Sequence, residues 1–258
     1  MPLALVTGAS SGIGRHLAEG LAKRGHDLVL VARSEAELTA LKTAWESAYS
    51  IVVRVVASDL SAPGAAEQLY AAVRAAGPTP DVLVNNAGFG DVGPFHAADA
   101  AHLERMLQLN VLALTRLTHL ALVEMRARGS GRILNVASCA GFSAGPLMAV
   151  YFATKAYVLH FSEAVAHECA GSGVTVTVLC PGATRTDFHT NAGFPATAKV
   201  FNSPFAGDPL HVATYGLRAL FAGRRIAVPG FSNRLSLLAI RVLPRRLVAI
   251  VTHWALRQ

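Results

Sequence analysis

A turn of small residues, TGASSGIG from Thr7 to Gly14, stands between an apolar run (Pro2 to Val6) and a segment of helical periodicity (Gly12 to Arg24). Its glycines let the backbone pass through φ > 0 and leave its surface bare of side chains. A strand that feeds a helix through so short a turn has that helix packed back upon it. The same alternation recurs along the chain. Asp27 to Ala32, Ile51 to Ala57, Asp81 to Val84, Arg132 to Ala137 and Val174 to Leu179 are short apolar or β-branched runs. Between them, Ser34 to Tyr49, Pro63 to Ala76, Ala101 to Arg128 and Val150 to Ala170 carry helical patterns. Ser34 and Glu37 have the spacing of a capping box. Strands that are apolar along their whole length are buried on both faces, which demands a parallel sheet covered by helices on both sides. With right-handed crossovers, the expected fold is α/β, a doubly wound parallel sheet.

Length and composition agree with one such unit. The chain has 258 residues, 52% of them hydrophobic, and no linker or low-complexity segment divides 1–258. No run of about 20 uncharged apolar residues predicts a membrane span, and no basic, cleavable N-terminal segment predicts a signal peptide. Three cysteines without a spaced framework, Cys139, Cys169 and Cys180, predict reduced thiols and a cytoplasmic location. Cys139 reads as a small buried side chain. The ten histidines form no metal-ligand spacing, so no metal site is expected. The net charge of +7 is uneven: from Pro209 onward there are eight Arg and no acid, and the first 208 residues sum to −1. That distribution argues against a nucleic-acid-binding face.

In its strand-to-helix setting, the glycine turn has the features of a dinucleotide cradle. Gly8, Gly12 and Gly14 let a pyrophosphate approach the backbone. The amides of Ser10, Ser11, Gly12, Ile13 and Gly14 open a helix N-terminus, which favours anions. The end of the second strand selects the cofactor. A carboxylate there would bind the ribose 2′-hydroxyl of NAD, but this chain has Ala32 and then Arg33, with no acid until Glu35. A guanidinium suits a 2′-phosphate, so NADP(H) is expected over NAD(H), with Ser10 and Ser34 as further hydroxyl contacts.

Tyr151 and Lys155 are four residues apart, on one face of a helix. A phenol with a pKa of about 10 is a poor base near neutrality. A neighbouring ammonium favours the phenolate and is expected to lower that pKa. Tyr151 would then exchange a proton with an alcohol or carbonyl oxygen. Ser138 ends a strand at the carboxyl edge of the sheet, where its hydroxyl can hold the same oxygen.

TGASSGIG, Asp59-Leu60, the NNAG run from Asn85 to Gly88, Asn110, Ser138, the Tyr151 and Lys155 pair, and PGATRT from Pro181 to Thr186 occur here in one order. From about Leu3 to Thr186 this set resembles the short-chain dehydrogenase/reductase family in its compact single-domain branch. The resemblance implies a Rossmann-type single domain and an oxidoreductase acting on a small-molecule carbonyl or alcohol. It implies that Ser138 holds the substrate oxygen, that Lys155 also binds the nicotinamide ribose, and that Asn110 belongs to a proton relay. Asp59 and Leu60 would meet the adenine, and Asn86, Ala87 and Gly88 the adenosine side. Pro181, Gly182, Thr184 and Thr186 would border the nicotinamide. It further implies a homodimer or homotetramer built through the helices at Ala101 to Arg128 and Val150 to Ala170. A sensor without turnover, and an epimerase or dehydratase of the same fold, are the competing readings.

Beyond Thr186 the pattern is less specific. The resemblance implies that the segment 187–209 closes over the substrate, with Phe188, Phe194, Phe201 and Phe205 either lining an apolar lid or packing the loop down. Gly141 to Pro146 is expected to form the opposite wall, and it offers no charge to an anionic substrate. Leu210 to Ala222 reads as a helix and Arg225 to Val228 as an edge strand. Residues 231–258 form a basic, apolar helical tail broken by Pro244. Arg246, His253 and Arg257 share one face of it, and Leu247, Val251 and Trp254 another. Such a tail suits peripheral membrane contact, a subunit contact or a roof over the pocket.

Overall fold

Seven strands in the order β3-β2-β1-β4-β5-β6-β7 make up the sheet in the computed structural model, which describes residues 1–195, 203 and 206–257. The strands are β1 (Leu3–Thr7), β2 (Asp27–Ala32), β3 (Val53–Ala57), β4 (Val82–Asn85), β5 (Gly131–Val136), β6 (Val174–Leu179) and β7 (Ile226–Ala227). Every neighbouring pair is parallel. The expected doubly wound single domain is therefore what forms.

Helices cover both faces. They are α1 (Gly12–Ala22), α2 (Glu35–Tyr49), α3 (Ala65–Ala75), α4 (Ala100–Leu107), α5 (Leu114–Arg128), α6 (Ala149–Glu168), the short α7 (Phe188–Asn191), α8 (Pro209–Phe221), α9 (Phe231–Val242) and α10 (Arg245–Leu256). One core layer packs Leu17, Leu21, Trp45 and Leu217 against alternate strand residues such as Val6, Leu30 and Leu134. The other packs Leu69, Leu117, Met125 and Val165 against Leu5, Val31, Leu83 and Ile133. The two sets alternate along each strand, as a sheet buried on both faces requires.

Two local expectations fail. Ser34 precedes α2, but its side chain makes no capping bond. The long helix expected over Ala101 to Arg128 is interrupted between α4 and α5 by a π-helical turn, Gln108–Ala113. That whole run is long and apolar enough to cross a membrane by composition. It lies instead on the sheet, with Leu114, Leu117, Thr118, Ala121 and Met125 buried.

The strand order reverses between β1 and β4, and the carboxyl ends of these strands diverge there into a crevice. The hydroxyl of Thr7, at the end of β1, accepts bonds from the amides of Asn86 and Ala87 just beyond β4, at 3.0 and 3.1 Å. Lower down, a buried chain of side chains ties β4 and β5 to the helices above. Asn85 donates to Thr118 at 3.0 Å and to Asn135 at 2.9 Å, and Asn135 donates to Ser162 at 2.9 Å.

Candidate active site

The site grows from the ends of β1, β4, β5 and β6. The glycine turn leaves β1 with Gly8 at φ +64°. The Asn86 amide donates to the carbonyls of Thr7 and Gly8 at 3.1 and 3.0 Å, so β4 holds the turn from the side. A Cβ on Gly14 would stand 2.1 Å from the Gly8 oxygen. Gly14 thus sets how close α1 comes to the turn. Ser11 precedes α1 in extended conformation without a side-chain cap, so the first-turn amides carry no capping side chain. Ser10 is partly exposed and Ser11 exposed, whereas Ile13 packs against the core.

Arg33 and Asp59 lie just past the adjacent ends of β2 and β3, where Ala32 pairs with Ala57. Both are exposed. The Asp59 carboxylate accepts from the Ser61 amide and hydroxyl at 3.0 and 2.7 Å. Those bonds, with a smaller contribution from the Arg33 charge, hold it below the usual carboxylate range. Among the described residues no salt bridge engages Arg33. Leu60 is buried in the core.

These features fit a dinucleotide. The glycine turn is bare, its helix N-terminus is uncapped by side chains, and Arg33, without a salt bridge among the described residues, stands just past the end of β2. Gly88 adds a further close approach, since a Cβ there would lie 2.9 Å from Asn110 Oδ1 and 3.5 Å from Lys155 Nζ.

Tyr151 and Lys155 face the crevice from the first turns of α6, both buried. Lys155 donates to the Val136 carbonyl at 2.9 Å, and its Nζ lies 5.8 Å from the Tyr151 ring centroid. The expected lowering of the Tyr151 pKa by Lys155 is not found. Burial pushes the phenol up to about 12, and the Ser138 hydroxyl beside it acts weakly in the opposite direction. Burial also pulls the Lys155 ammonium down to about 8. Both shifts have one origin, the cost of a charged form away from water.

Ser138 follows β5 in extended conformation. Its hydroxyl donates to the Pro181 carbonyl at 3.3 Å and accepts from the Ala140 amide at 3.1 Å. Asn110 sits in the π-helical turn, a feature often found at functional sites. It is bonded on both sides to Phe89: Nδ2 donates to the carbonyl at 2.9 Å, and the amide donates to Oδ1 at 3.2 Å. Asn110 Nδ2 also lies 3.2 Å from the Thr154 hydroxyl, which donates to the Tyr151 carbonyl at 2.7 Å. Thr154 is a link that the sequence motifs did not single out. A Thr inside a helix carries no local mark of a partner from another helix.

The PGATRT loop leaves β6 and closes the crevice. Thr186 abuts Gly12: a Cβ there would be 3.1 Å from its methyl group. Pro181 accepts from Ser138 and from the Cys139 amide. Thr184 is buried, and its hydroxyl is bonded to the Gly182 carbonyl at 3.0 Å, which makes it a brace for the loop. Cys139 is held as the protonated thiol by burial, which pushes it up to about 12.

An apolar cluster surrounds the Tyr151 ring, made of Met106, Met148, Phe152, Ala192 and Phe194, with Phe89, Phe188 and Leu256 at its edge. Phe188 stands 5.2 Å from Tyr151, ring to ring. Phe194 is buried and packs the loop down, as one of the two expectations had it. Phe201 and Phe205 lie outside the described residues. The 141–146 stretch contributes less of a wall than expected. Phe142 turns into a separate cluster with Leu114, Val158 and Cys180, and the neighbouring Ala140 and Met148 face Tyr151 instead.

Comparison with known proteins adds context to this geometry. Residues 2–194 match the short chain dehydrogenase family. The chain is 35% identical over 226 residues to the ketoacyl reductase HetN of Nostoc sp., covering 84% of this chain and 74% of that protein. It is 34% identical over 184 residues to the very-long-chain 3-oxoacyl-CoA reductase of Bos taurus, covering 69% of this chain but only 58% of the bovine protein. Among solved structures, a short-chain dehydrogenase from Sphingobium yanoikuyae in complex with NADPH superposes with a TM-score of 0.84 at 33% identity, covering 93% of this chain and 92% of that one. A short chain dehydrogenase/reductase from Burkholderia phymatum in complex with NAD gives 0.83 at 25% identity, covering 98% and 95%.

Proposed function

Because the chain belongs to the short-chain dehydrogenase family, we propose that it is an NADP(H)-dependent oxidoreductase that interconverts a ketone or aldehyde and an alcohol on an apolar, lipid-like substrate. The observation that carries this reading is the buried Tyr151, flanked by Lys155 and Ser138 and walled by an apolar cluster. The bound dinucleotide supplies the hydride. Gly8, Gly12, Gly14 and the amides of Ser10 to Gly14 hold its pyrophosphate; Asp59, Asn86, Ala87 and Gly88 border the adenosine; Lys155, Pro181, Gly182 and Thr186 border the nicotinamide end.

Tyr151 exchanges the proton. Burial keeps its phenol protonated at neutral pH, the form that donates to a carbonyl oxygen in the reductive direction. Ser138 holds the same oxygen. Lys155, held by the Val136 carbonyl, stands beside the Tyr151 ring at the nicotinamide end, and Asn110, anchored to Phe89 and Thr154, connects this centre to the π-helical turn.

Arg33, which follows β2 where the chain carries no acid until Glu35, supports the preference for NADP(H). The lipid-like substrate is supported by Met148, Phe152 and Phe188 around Tyr151, and agrees with the names of the Nostoc and bovine relatives. Exposed Leu112 and Tyr157, on the faces of the π-helical turn and α6, suit a homo-oligomeric contact. The three free cysteines suit a cytoplasmic location.

The test is NADPH consumption with ketones and β-ketoacyl thioesters of rising chain length. The rate per substrate concentration rises with apolar length if the cluster is the substrate wall. Equal rates on short polar and long apolar ketones would remove the lipid-like assignment.

A further inference from the structure

Helices α9 and α10 are each held to the domain by few side chains. Leu237 is the one buried residue of α9, and Val248 that of α10. Asn233 and Arg234 donate to the carbonyls of Pro229 and Val228 at 2.7 and 3.0 Å, and Arg234 also bonds the Tyr215 hydroxyl. Most of their other large apolar residues face outward.

On α9 these are Phe231, Leu235, Leu238 and Val242, spaced by four, three and four residues, so they form one stripe. On α10 they are Leu247, Ile250, Val251 and Trp254, again one stripe. Val242 is 85% exposed and Trp254 79%. Single exposed apolar residues need no explanation, but two successive helices with outward apolar stripes do. Of the three roles the sequence left open, roofing the pocket does not account for these side chains.

Charge decides between the remaining occupants. Arg234, Arg241, Arg245, Arg246 and Arg257 accompany the stripes, and no carboxylate occurs after Asp208. A two-fold contact between copies sets a patch against itself, so these helices would meet Arg with Arg and no acid between them. An anionic bilayer offers the opposite charge to the cations and hydrocarbon to the stripes, with Trp and Phe suited to the headgroup boundary.

We propose that α9 and α10 form a docking surface for an anionic lipid bilayer. The surface adjoins the active site. α9 packs against the 3-10 turn Cys139–Phe142 next to Ser138, and Leu256 of α10 closes the cluster around Tyr151. Docking thus presents the substrate entrance to the membrane. This second step rests on the lipid-like reading above; bilayer binding itself does not.

The chain carries its own probe. Of its two tryptophans, Trp45 is 5% exposed in the core and Trp254 lies on the surface. The experiment compares phosphatidylcholine vesicles with the same vesicles containing phosphatidylglycerol, by co-sedimentation and tryptophan emission. The expected result is pelleting with the anionic vesicles and a blue shift that Trp254→Phe removes. The double variant Arg245→Glu/Arg246→Glu should weaken partitioning by roughly tenfold or more, while its turnover of a water-soluble ketone stays at the wild-type level. That turnover separates a failure here from a failure of the enzymatic reading. The proposal is overturned by no pelleting, or by pelleting that neither anionic lipid nor the Arg reversal affects. A Trp254 blue shift that grows with protein concentration without vesicles would also overturn it, in favour of a second copy as the occupant.

Discussion

Lys155 donates its ammonium to the main-chain carbonyl of Val136 at 2.9 Å, so a buried cation at the heart of the site is held by a neutral acceptor. A pull from 10.5 to about 8 corresponds to about 3 kcal/mol of native-state cost while the group is charged. Removing the side chain relieves that cost but gives up about 1 kcal/mol with the lost bond.

Lys155→Met is therefore expected to be inactive yet more stable than the wild type near neutral pH, by roughly 1–2 kcal/mol. The sign follows from protons bound. Below about pH 8 both the native and unfolded states of the wild type carry the proton, and the full penalty applies. Between that value and the unfolded pKa of about 10.4, the native state gives it up first, so wild-type stability from this group rises with pH. The variant's advantage should be full below about pH 8 and fade above it. Denaturant unfolding of both proteins across that range checks this; a constant or widening gap contradicts it.

Arg33 is expected to discriminate between cofactors through the 2′-phosphate. Arg33→Ala should weaken NADPH binding by roughly tenfold to a hundredfold, with little change for NADH, since a charge-assisted bond is worth about 1.5–3 kcal/mol. Fluorescence titration with each cofactor measures the ratio. Equal losses for both would assign Arg33 a general electrostatic role.

Gly14 sets the approach of α1 to the turn. Gly14→Ala places a Cβ 2.1 Å from the Gly8 oxygen, against backbone that cannot swing aside. The expected result is a loss of roughly 1–3 kcal/mol of stability, together with weaker dinucleotide binding. Thermal unfolding and a binding titration on the same sample would detect both, and an unchanged variant would show that α1 can slide.

Much of the fold was legible because strands buried on both faces announce themselves. DLVLVA and VTVTVL became β2 and β6 residue for residue, since a run so rich in apolar and β-branched residues leaves little choice of ends. The family motifs also converge: β1, β4, β5 and β6 carry the glycine turn, Asn86, Ser138 and Pro181 to one edge of the sheet. What the sequence hid is tertiary. Helical periodicity does not distinguish a π-helical turn from the α-helix around it, so the break holding Asn110 against Phe89 could not be seen. The capping pattern at Ser34 was present but its side-chain bond was not made. The bonds of Thr7 and Thr154 join elements distant in sequence or on neighbouring helices. Apolar spacing on α9 and α10 reads equally as burial or exposure; only the placement of Leu237 and Val248 shows that the stripes face outward.

The most direct test of the account is Tyr151→Phe, which removes one oxygen from a buried ring and leaves its packing against Phe188 and Phe152 in place. NADPH oxidation with the best ketone and NADPH binding are measured on the same preparation. The expected result is a fall in turnover of roughly 10²–10⁴-fold or more with cofactor affinity retained. Turnover near the wild-type rate would contradict it, and would move the proton transfer to another group.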